Sequence, residues 1–219
     1  GRTTPLTLQN VLLNDGLISV VVENGTLTVS APVGGSFDIS GAVSYYQGFE
    51  TGGGPVPGVQ VVLSGAMSFT STTNAAGEFS LSHPHEGNYV LTPEKSDQIQ
   101  GAITPTDAAL VLEAVVGLID LSANQQTAGD VDMSDRLSAL DASFILQYSA
   151  QLIPLPFPES DRIWEFVPES LSYPFLAADM IDQDFTAILL GDVSGNFGMA
   201  TTTASSSARI DFPDVQIGP

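Results

Sequence analysis

Oxygen-bearing side chains recur at regular intervals between residues 130 and 141. Counted from Asp130, they occupy positions 1, 3, 5 and 12, in the order Asp130, Asp132, Ser134 and Asp141. EF-hand-type loops bind calcium with side-chain oxygens at positions 1, 3 and 5, a backbone carbonyl at 7, often a water at 9 and a carboxylate at 12. The spacing predicts a calcium site, with Arg136 at position 7 and Ser138 at position 9.

Position 6 of such a loop is normally glycine, because the chain turns there, and this chain has Asp135 instead. Aspartate tolerates a positive φ better than most residues, so we expect a left-handed conformation at Asp135. A simpler interpretation stays open, in which Asp141 only caps a helix and the preceding acidic residues form a turn.

The phrase around Asp141 has an earlier copy around Asp107. The copies span residues 103–119 and 137–153, and their aspartates are 34 positions apart (141 − 107). Apolar residues after each aspartate follow helical spacing, so we expect helices over 107–119 and 141–153.

The loop before Asp107 has fewer charged ligands. Counting back from Asp107 gives five candidate positions, and only Asp107 among them is a carboxylate: Ser96, Gln98, Gln100, Ala102 and Asp107. This site is weak, helped by the neighbouring Asp97 or Glu94, or vestigial. Asp192 and Asn196 repeat the spacing of a loop start without a position 12, and we expect a plain turn there.

Composition excludes several classes of function. Of 219 residues, 25 are acidic and 5 are basic, and the net charge of −20 repels nucleic acid and anionic membranes. Without cysteine, neither disulfides nor thiolate metal sites contribute. No apolar run reaches the roughly 18–20 residues needed to span a bilayer, so we expect no membrane span.

Alternating apolar residues and frequent turns predict a mainly β chain with a small α part. Residues 35–94 contain several strands typical of an antiparallel β-sandwich, and further strands follow the repeats in 154–198. Trp164, Phe166, Tyr173 and Phe185 are expected to be packing aromatics rather than a carbohydrate platform.

Short strands are also expected near both ends, in 1–34 and after a linker in 199–219. Each has one apolar face that it cannot bury alone, so we expect partner-binding strands. The residues concerned are Leu6, Leu8, Ile18 and Val20 near one end and Ile210, Phe212, Val215 and Ile217 near the other.

Three resemblances accompany these patterns. Residues 55–63, 72–79 and 87–93 read Pro-Val-Pro-Gly-Val-Gln-Val-Val-Leu, Thr-Thr-Asn-Ala-Ala-Gly-Glu-Phe and Gly-Asn-Tyr-Val-Leu-Thr-Pro, and resemble a carboxypeptidase regulatory-like (transthyretin-like) domain, which implies a spacer or adhesive module. The paired loop-helix units of 95–153 resemble dockerin, which implies calcium-dependent binding to cohesin. The terminal strands resemble the ends of a cohesin-like sandwich.

Sequence motifs for catalysis are lacking. The chain has no Gly-x-Ser-x-Gly elbow, phosphate-binding loop or His-Glu-x-x-His, and His83 and His85 are more typical of a surface loop than of a metal site. Asp182 and Asp184 are two positions apart, and nothing implies the enclosed cleft that glycosidase chemistry needs. We therefore expect a protein that is not an enzyme.

The expected function is extracellular or cell-surface assembly. Subunits would join by terminal strand exchange into a filament or array of copies of the same chain, braced by Ca²⁺. The alternative is a dockerin-type module that binds a cohesin-like domain. Carbohydrate binding by the sandwich is a third possibility that rests on fold analogy alone.

Overall fold

The computed structural model describes residues 35–48, 53–82, 84–99 and 101–198, together with the backbone of 20–23 and 26–29. Ten strands and three helices lie in these ranges. They are β1 (Val20–Glu23), β2 (Thr26–Val29), β3 (Asp38–Tyr45), β4 (Gln60–Gly65), β5 (Phe69–Thr72), β6 (Glu78–Ser82), β7 (Gly87–Glu94), α1 (Pro105–Val115), α2 (Ala123–Gly129), α3 (Ala139–Ser149), β8 (Trp164–Val167), β9 (Leu171–Leu176) and β10 (Phe185–Leu189).

The strands form two four-stranded sheets and one two-stranded sheet. One four-stranded sheet has the order β6-β3-β10-β8 and the other β5-β4-β7-β9, while β1 pairs with β2. The pairing of β10 with β3 is parallel, and every other strand pair is antiparallel. The prediction of a mainly β chain with a small α part is confirmed at this level.

Burial alternates along the edge strand β6, as expected for a strand with one face towards the core. In β6, Phe79 and Leu81 are buried, while Glu78, Ser80 and Ser82 are exposed. β10 is central in its sheet, and its residues from Ala187 to Leu189 are all buried. An apolar strand of this kind is stable only when both of its faces are covered.

Strands from the segment 154–198 complete both four-stranded sheets. β9 pairs with β7, and β10 lies between β3 and β8. The predicted division into 1–34, 35–94, 95–153, 154–198 and 199–219 remains a prediction about domains, but hydrogen-bonded strands connect the second of these segments to the fourth.

Helices α1 and α3 share their capping contacts. Thr104 and Ser138 precede them, and each donates its backbone N–H to the aspartate three residues later, Asp107 or Asp141. Both helices also end alike, with a positive φ at Gly117 and Gln151. Each begins two residues before its repeat aspartate and ends four residues before the predicted end.

The helix α2 was not expected from the sequence. Ser122 caps it, with Gln125 donating its backbone N–H to the Ser122 hydroxyl and accepting the Ser122 N–H through Oε1. This capping box was readable from the sequence.

One hydrophobic core contains buried residues from both four-stranded sheets and all three helices. Trp164, Phe166, Tyr173 and Phe185 are all buried in it, which confirms their prediction as packing aromatics. No helix within the described residues is both long and apolar enough to cross a membrane.

Candidate metal centre

The loop that joins α2 to α3 brings three carboxylates together. Asp130, Asp132 and Asp141 each place an oxygen within 4.8 Å of the others. The Ser134 N–H donates hydrogen bonds to Asp130 Oδ1 at 3.0 Å and Asp132 Oδ1 at 3.1 Å. Four of the predicted ligand residues therefore converge, and hard oxygen donors of this kind suit calcium.

The remaining predicted residues of this loop also lie beside it. The Arg136 carbonyl, at position 7, accepts a 3.2 Å hydrogen bond from Ser134 Oγ. Ser138 donates both its N–H and its hydroxyl to Asp141 Oδ2 at 2.9 Å. At position 6, Asp135 has φ 62°, which confirms the predicted left-handed conformation.

Partial burial of this cluster raises the free energy of its ionised carboxylates, because no cationic side chain in the described part of the chain compensates their charge. Loss of hydration raises the pKa of Asp130 and that of Asp141 above their ordinary values. The hydrogen bonds from Ser134 and Ser138 oppose this effect, because they stabilise the ionised carboxylates. A bound divalent cation would stabilise all three carboxylates in their charged form.

Asp107, the repeat equivalent of Asp141, is fully buried. Its Oδ2 accepts the Thr104 N–H at 2.7 Å and the Thr104 hydroxyl at 2.8 Å, while its Oδ1 accepts the Ser194 N–H at 2.8 Å. Ser194 lies 87 positions later, outside the repeats.

The predicted first loop is placed differently from the second. Ser96 and Gln98 are exposed, Ala102 is buried, and Gln100 lies outside the described residues. Within the part of the chain that the structure describes, no hydrogen bond joins Asp107 to the segment 96–102. The ligand set Ser96, Gln98, Gln100, Ala102 and Asp107 stays a prediction, with other neighbours around its carboxylate.

The turn after β10 takes the place of a loop start beside Asp107. Asp192 Oδ1 accepts hydrogen bonds from Ser194 Oγ at 3.1 Å, Gly195 N–H at 3.0 Å and Asn196 N–H at 3.2 Å. The predicted turn is confirmed. Asp107 lies beside this turn, where its Oδ1 accepts the Ser194 N–H.

The two arrangements share their hydrogen-bond pattern. In the continuous loop, the N–H at position 3, Asp132, donates to Asp141 Oδ1 at 3.3 Å. In the second arrangement the N–H of Ser194, two residues after Asp192, donates in the same way to Asp107. Both loops begin with the sequence Gly-Asp-Val, at 129–131 and 191–193, and both valines are fully buried.

Two tyrosines, at the last residue of β3 and directly after it, donate hydrogen bonds to the Asp192 turn. Tyr45 donates its hydroxyl to Asp192 Oδ2 at 2.7 Å, and Tyr46 donates to the Asp192 carbonyl. Burial and then the charge of Asp192 raise the pKa of both tyrosines, and burial also raises the pKa of Asp192. Hydrogen bonds therefore connect this turn to the sheet that contains β3 as well as to α1.

Ser194 and Tyr45 are site residues that the sequence did not predict, and at Asp192 it predicted only a plain turn. The repeated Gly-Asp-Val, followed both times by oxygen-bearing side chains two and four positions after the aspartate, was the available signal. Its relation to Asp107 was hidden because the two aspartates are 85 positions apart (192 − 107).

The predicted partner-binding residues fall mainly outside the described residues. Val20 lies in β1, for which only the backbone is described. The others, Leu6, Leu8, Ile18, Ile210, Phe212, Val215 and Ile217, lie in ranges that the structure does not describe. Their role stays a prediction.

Comparison with models of known protein families gives no match, and comparison with curated proteins gives none either.

Proposed function

We propose that this chain is a non-enzymatic extracellular assembly module, braced by calcium, that binds a partner domain through the outer face of α1 and α3. The observation that carries the proposal is the matched exposure of leucines at equivalent repeat positions. Leu112 and Leu146, within the two helices, are 40% and 42% exposed, and Leu118 and Leu152, three residues after the helix ends, are 74% and 73% exposed. Single exposed leucines are ordinary, but repeated ones on paired helices are typical of a binding surface.

The inner sides of the same helices are packed into the core. Asp107, Ala108 and Val111 of α1 are buried, and so are their repeat equivalents in α3, Asp141, Ala142 and Ile145. A groove of about 430 Å³ lies between Pro105 at the start of α1 and the C-terminal part of α3. The two helices therefore present a surface that is anchored in the core and contains an apolar groove. Such a surface suits a cohesin-like domain as partner.

The finer fold assignment belongs to this proposal. We assign a β-sandwich of the carboxypeptidase regulatory-like type joined to a dockerin-like pair of loop-helix units. Its support is the single core that contains buried residues of both sheets, and the 34-residue equivalence of α1 and α3.

Calcium is proposed as the brace at two places. The continuous loop offers Asp130, Asp132, Ser134 and Asp141. The discontinuous site combines Asp192, Ser194 and Asn196 with Asp107. The shared hydrogen-bond pattern supports this pairing. With three carboxylates against two, the continuous loop is expected to bind more tightly, because calcium affinity rises with ligand charge.

Isothermal titration of the metal-free chain with calcium tests the brace. The wild type is expected to bind two ions, Asp132→Asn to lose the tighter one, and the exposed control Asp120→Asn to match the wild type. A wild type that binds no calcium, or an unchanged titration of Asp132→Asn, would contradict it.

Binding to a panel of cohesin domains, in calcium and in chelator, tests the helix surface. The double variant Leu112→Ser and Leu146→Ser is expected to lose binding. Met67→Ser, which alters an exposed side chain in the turn between β4 and β5, is the matched control. Equal binding by both variants would count against this surface.

Terminal strand exchange between copies is the second candidate. The observation that favours it is the β1–β2 sheet, which among the described strands is hydrogen-bonded to neither four-stranded sheet. A two-stranded ribbon of four-residue strands is marginal by itself. Removal of residues 208–219 is expected to abolish self-association, measured by light scattering; unchanged association would contradict strand exchange.

A further inference from the structure

A cleft of about 740 Å³ lies along the open edge of β8. Trp164, Glu165 and Phe166 of β8 line one side of it, and residues from Thr92 to Asp97, at and after the end of β7, line the other. β8 is the last strand of its sheet and pairs with β10. The cleft therefore gives access to a strand edge that has no partner in the described part of the chain.

The strand register shows which main-chain groups of β8 face this open edge. Leu190 donates its N–H to the Ile163 carbonyl, so these two residues form a hydrogen-bonded pair next to the ladder of β10 and β8. Hydrogen-bonded and non-hydrogen-bonded pairs alternate along antiparallel strands, so Trp164 and Phe166 belong to non-hydrogen-bonded pairs. Their N–H and C=O groups therefore point away from β10. An extended peptide can pair with such an edge through main-chain hydrogen bonds.

The strand across the cleft is less suited to this pairing. The ladder of β7 with β9 reaches Leu91, and the next residue of β7 that faces the same side is Pro93. Proline has no N–H to donate. The edge of β8 is therefore the acceptor that an added strand would use.

Negative charge is in excess in this cleft. Two cations, Lys95 and Arg162, line it against five carboxylates, those of Glu94, Asp97, Asp161, Glu165 and Glu169. The Lys95 ammonium donates to Asp97 Oδ1 at 2.8 Å and to the carbonyls of Pro57 and Gly58. The lysine is therefore engaged within the chain and leaves the excess uncompensated.

Arg162 faces three carboxylates and hydrogen-bonds one of them. Its Nε donates to Asp161 Oδ1 at 2.9 Å, while its Nη1 lies 3.2 Å from Glu165 Oε1 and 3.9 Å from Glu169 Oε1. Glu165 Oε1 is buried and receives no hydrogen bond from the described residues. Loss of hydration raises the pKa of Glu165 even though Arg162 lowers it. The Glu165 carboxylate therefore lacks a donor.

A second guanidinium would supply that donor, because it carries five N–H groups in a planar fork that matches carboxylates. On a strand added to β8, the side chain opposite Glu165 starts about 5 Å from it, within easy reach for arginine. The residues on either side of that arginine point to the opposite face, the face of the buried Trp164 and Phe166. The matching segment therefore alternates arginine with apolar residues.

This chain does not contain such a segment. Its five basic residues are Arg2, Lys95, Arg136, Arg162 and Arg209, and the two nearest are 26 positions apart (162 − 136). A segment with alternating arginines must therefore come from a different protein.

We propose that this cleft binds an extended, arginine-bearing segment of a different protein, which adds to β8 as a fifth strand and places an arginine opposite Glu165. The proposal goes beyond the function proposed above, because it needs neither calcium nor the outer face of α1 and α3. Its failure would leave that function unaffected.

Fluorescence anisotropy with three labelled, end-blocked peptides tests this site. The first alternates valine with arginine and is expected to bind. The second has glutamate in place of arginine, and the third is the first peptide with methyl groups on alternate backbone nitrogens, which removes the N–H donors that face β8. Both altered peptides are expected to bind at least about tenfold more weakly, because one loses the charge attraction and the other the main-chain hydrogen bonds.

Variants of the chain separate this site from general attraction to an acidic protein. Glu165→Gln combined with Glu169→Gln is expected to weaken binding of the arginine peptide about tenfold. The matched control, Glu113→Gln combined with Asp120→Asn, removes two exposed charges outside the cleft and is expected to change binding by less than about twofold. Glu169→Lys alters a side chain that is 82% exposed, so it is expected to fold and also to weaken binding.

Three results overturn the proposal. The first is a wild type that does not bind the arginine peptide. The second is equal weakening by the cleft variants and the control pair, which would mean that net charge alone attracts the peptide. The third is equal binding of the N-methylated peptide, which would mean that no strand is added to β8.

Discussion

The Ser194 N–H donates a 2.8 Å hydrogen bond to Asp107 Oδ1, across 87 positions of the chain. The Asp132 N–H donates to Asp141 Oδ1 over only 9 positions. One local geometry is thus built once from a continuous loop and once from two distant segments. In the second case the hydrogen bond links Asp107 of α1 to the turn after β10. The buried Asp107 carboxylate therefore connects the helices to a sheet.

Asp107→Ala is expected to destabilise the metal-free chain by about 2–4 kcal/mol, because it leaves the buried Ser194 N–H and the partly buried Thr104 N–H without an acceptor. Asp107→Asn keeps one carbonyl oxygen and is expected to lie between the wild type and Asp107→Ala. Urea unfolding followed by circular dichroism in chelator measures the difference. An equal free energy of unfolding for all three chains would show that these hydrogen bonds do not contribute to stability.

Tyr45→Phe is expected to cost about 1–3 kcal/mol, because it removes a buried donor from the Asp192 carboxylate. Tyr148→Phe is the matched control, since among the described residues the Tyr148 hydroxyl makes no hydrogen bond. Thermal unfolding of both variants at neutral pH measures the cost. A smaller loss for Tyr45→Phe than for Tyr148→Phe would refute the role given to Tyr45.

Alkaline pH is expected to destabilise the fold through Tyr173. Burial raises its pKa to about 12, while the unfolded chain ionises this tyrosine near pH 10. Above pH 10 the unfolded state therefore loses protons first, and the free energy of unfolding falls as pH rises from about 10 to 12, by about 2–3 kcal/mol in all. Denaturant unfolding at several pH values measures the slope. Burial also raises the pKa of Tyr45 and Tyr46, so Tyr173→Phe is expected to make the slope shallower without abolishing it. An equal slope in that variant would assign the whole effect to other groups.

Substitutions at two adjacent positions on α3 are expected to affect different properties, stability at the first and partner binding at the second. Ile145 is fully buried, so Ile145→Ala is expected to lower stability by about 2–5 kcal/mol. Leu146→Ala, at the exposed position beside it, is expected to change stability by less than about 0.5 kcal/mol and to weaken partner binding instead. Parallel unfolding and cohesin-binding measurements separate the two effects. A large loss of stability in Leu146→Ala would mean that this leucine packs within its own chain.

Helices α1 and α3 were predictable because their information is local. The caps Thr104 and Ser138, the aspartates three residues later and the apolar spacing all lie within one short segment. Asp135 likewise adopts the predicted positive φ, because the turn geometry of the loop constrains it. The capping box of α2 was equally local, and it was missed only because the helix has a weak apolar pattern.

The sequence by itself determined the repeat, the continuous acidic loop and the alternation that marks a mainly β chain, since each depends on residues close together in the chain. Only the tertiary structure decided that β10 lies between β3 and β8, and that Asp107 meets Ser194. Those contacts join residues separated by most of the chain. Their selection depends on how the sheets and helices share one core, and no local pattern encodes that outcome.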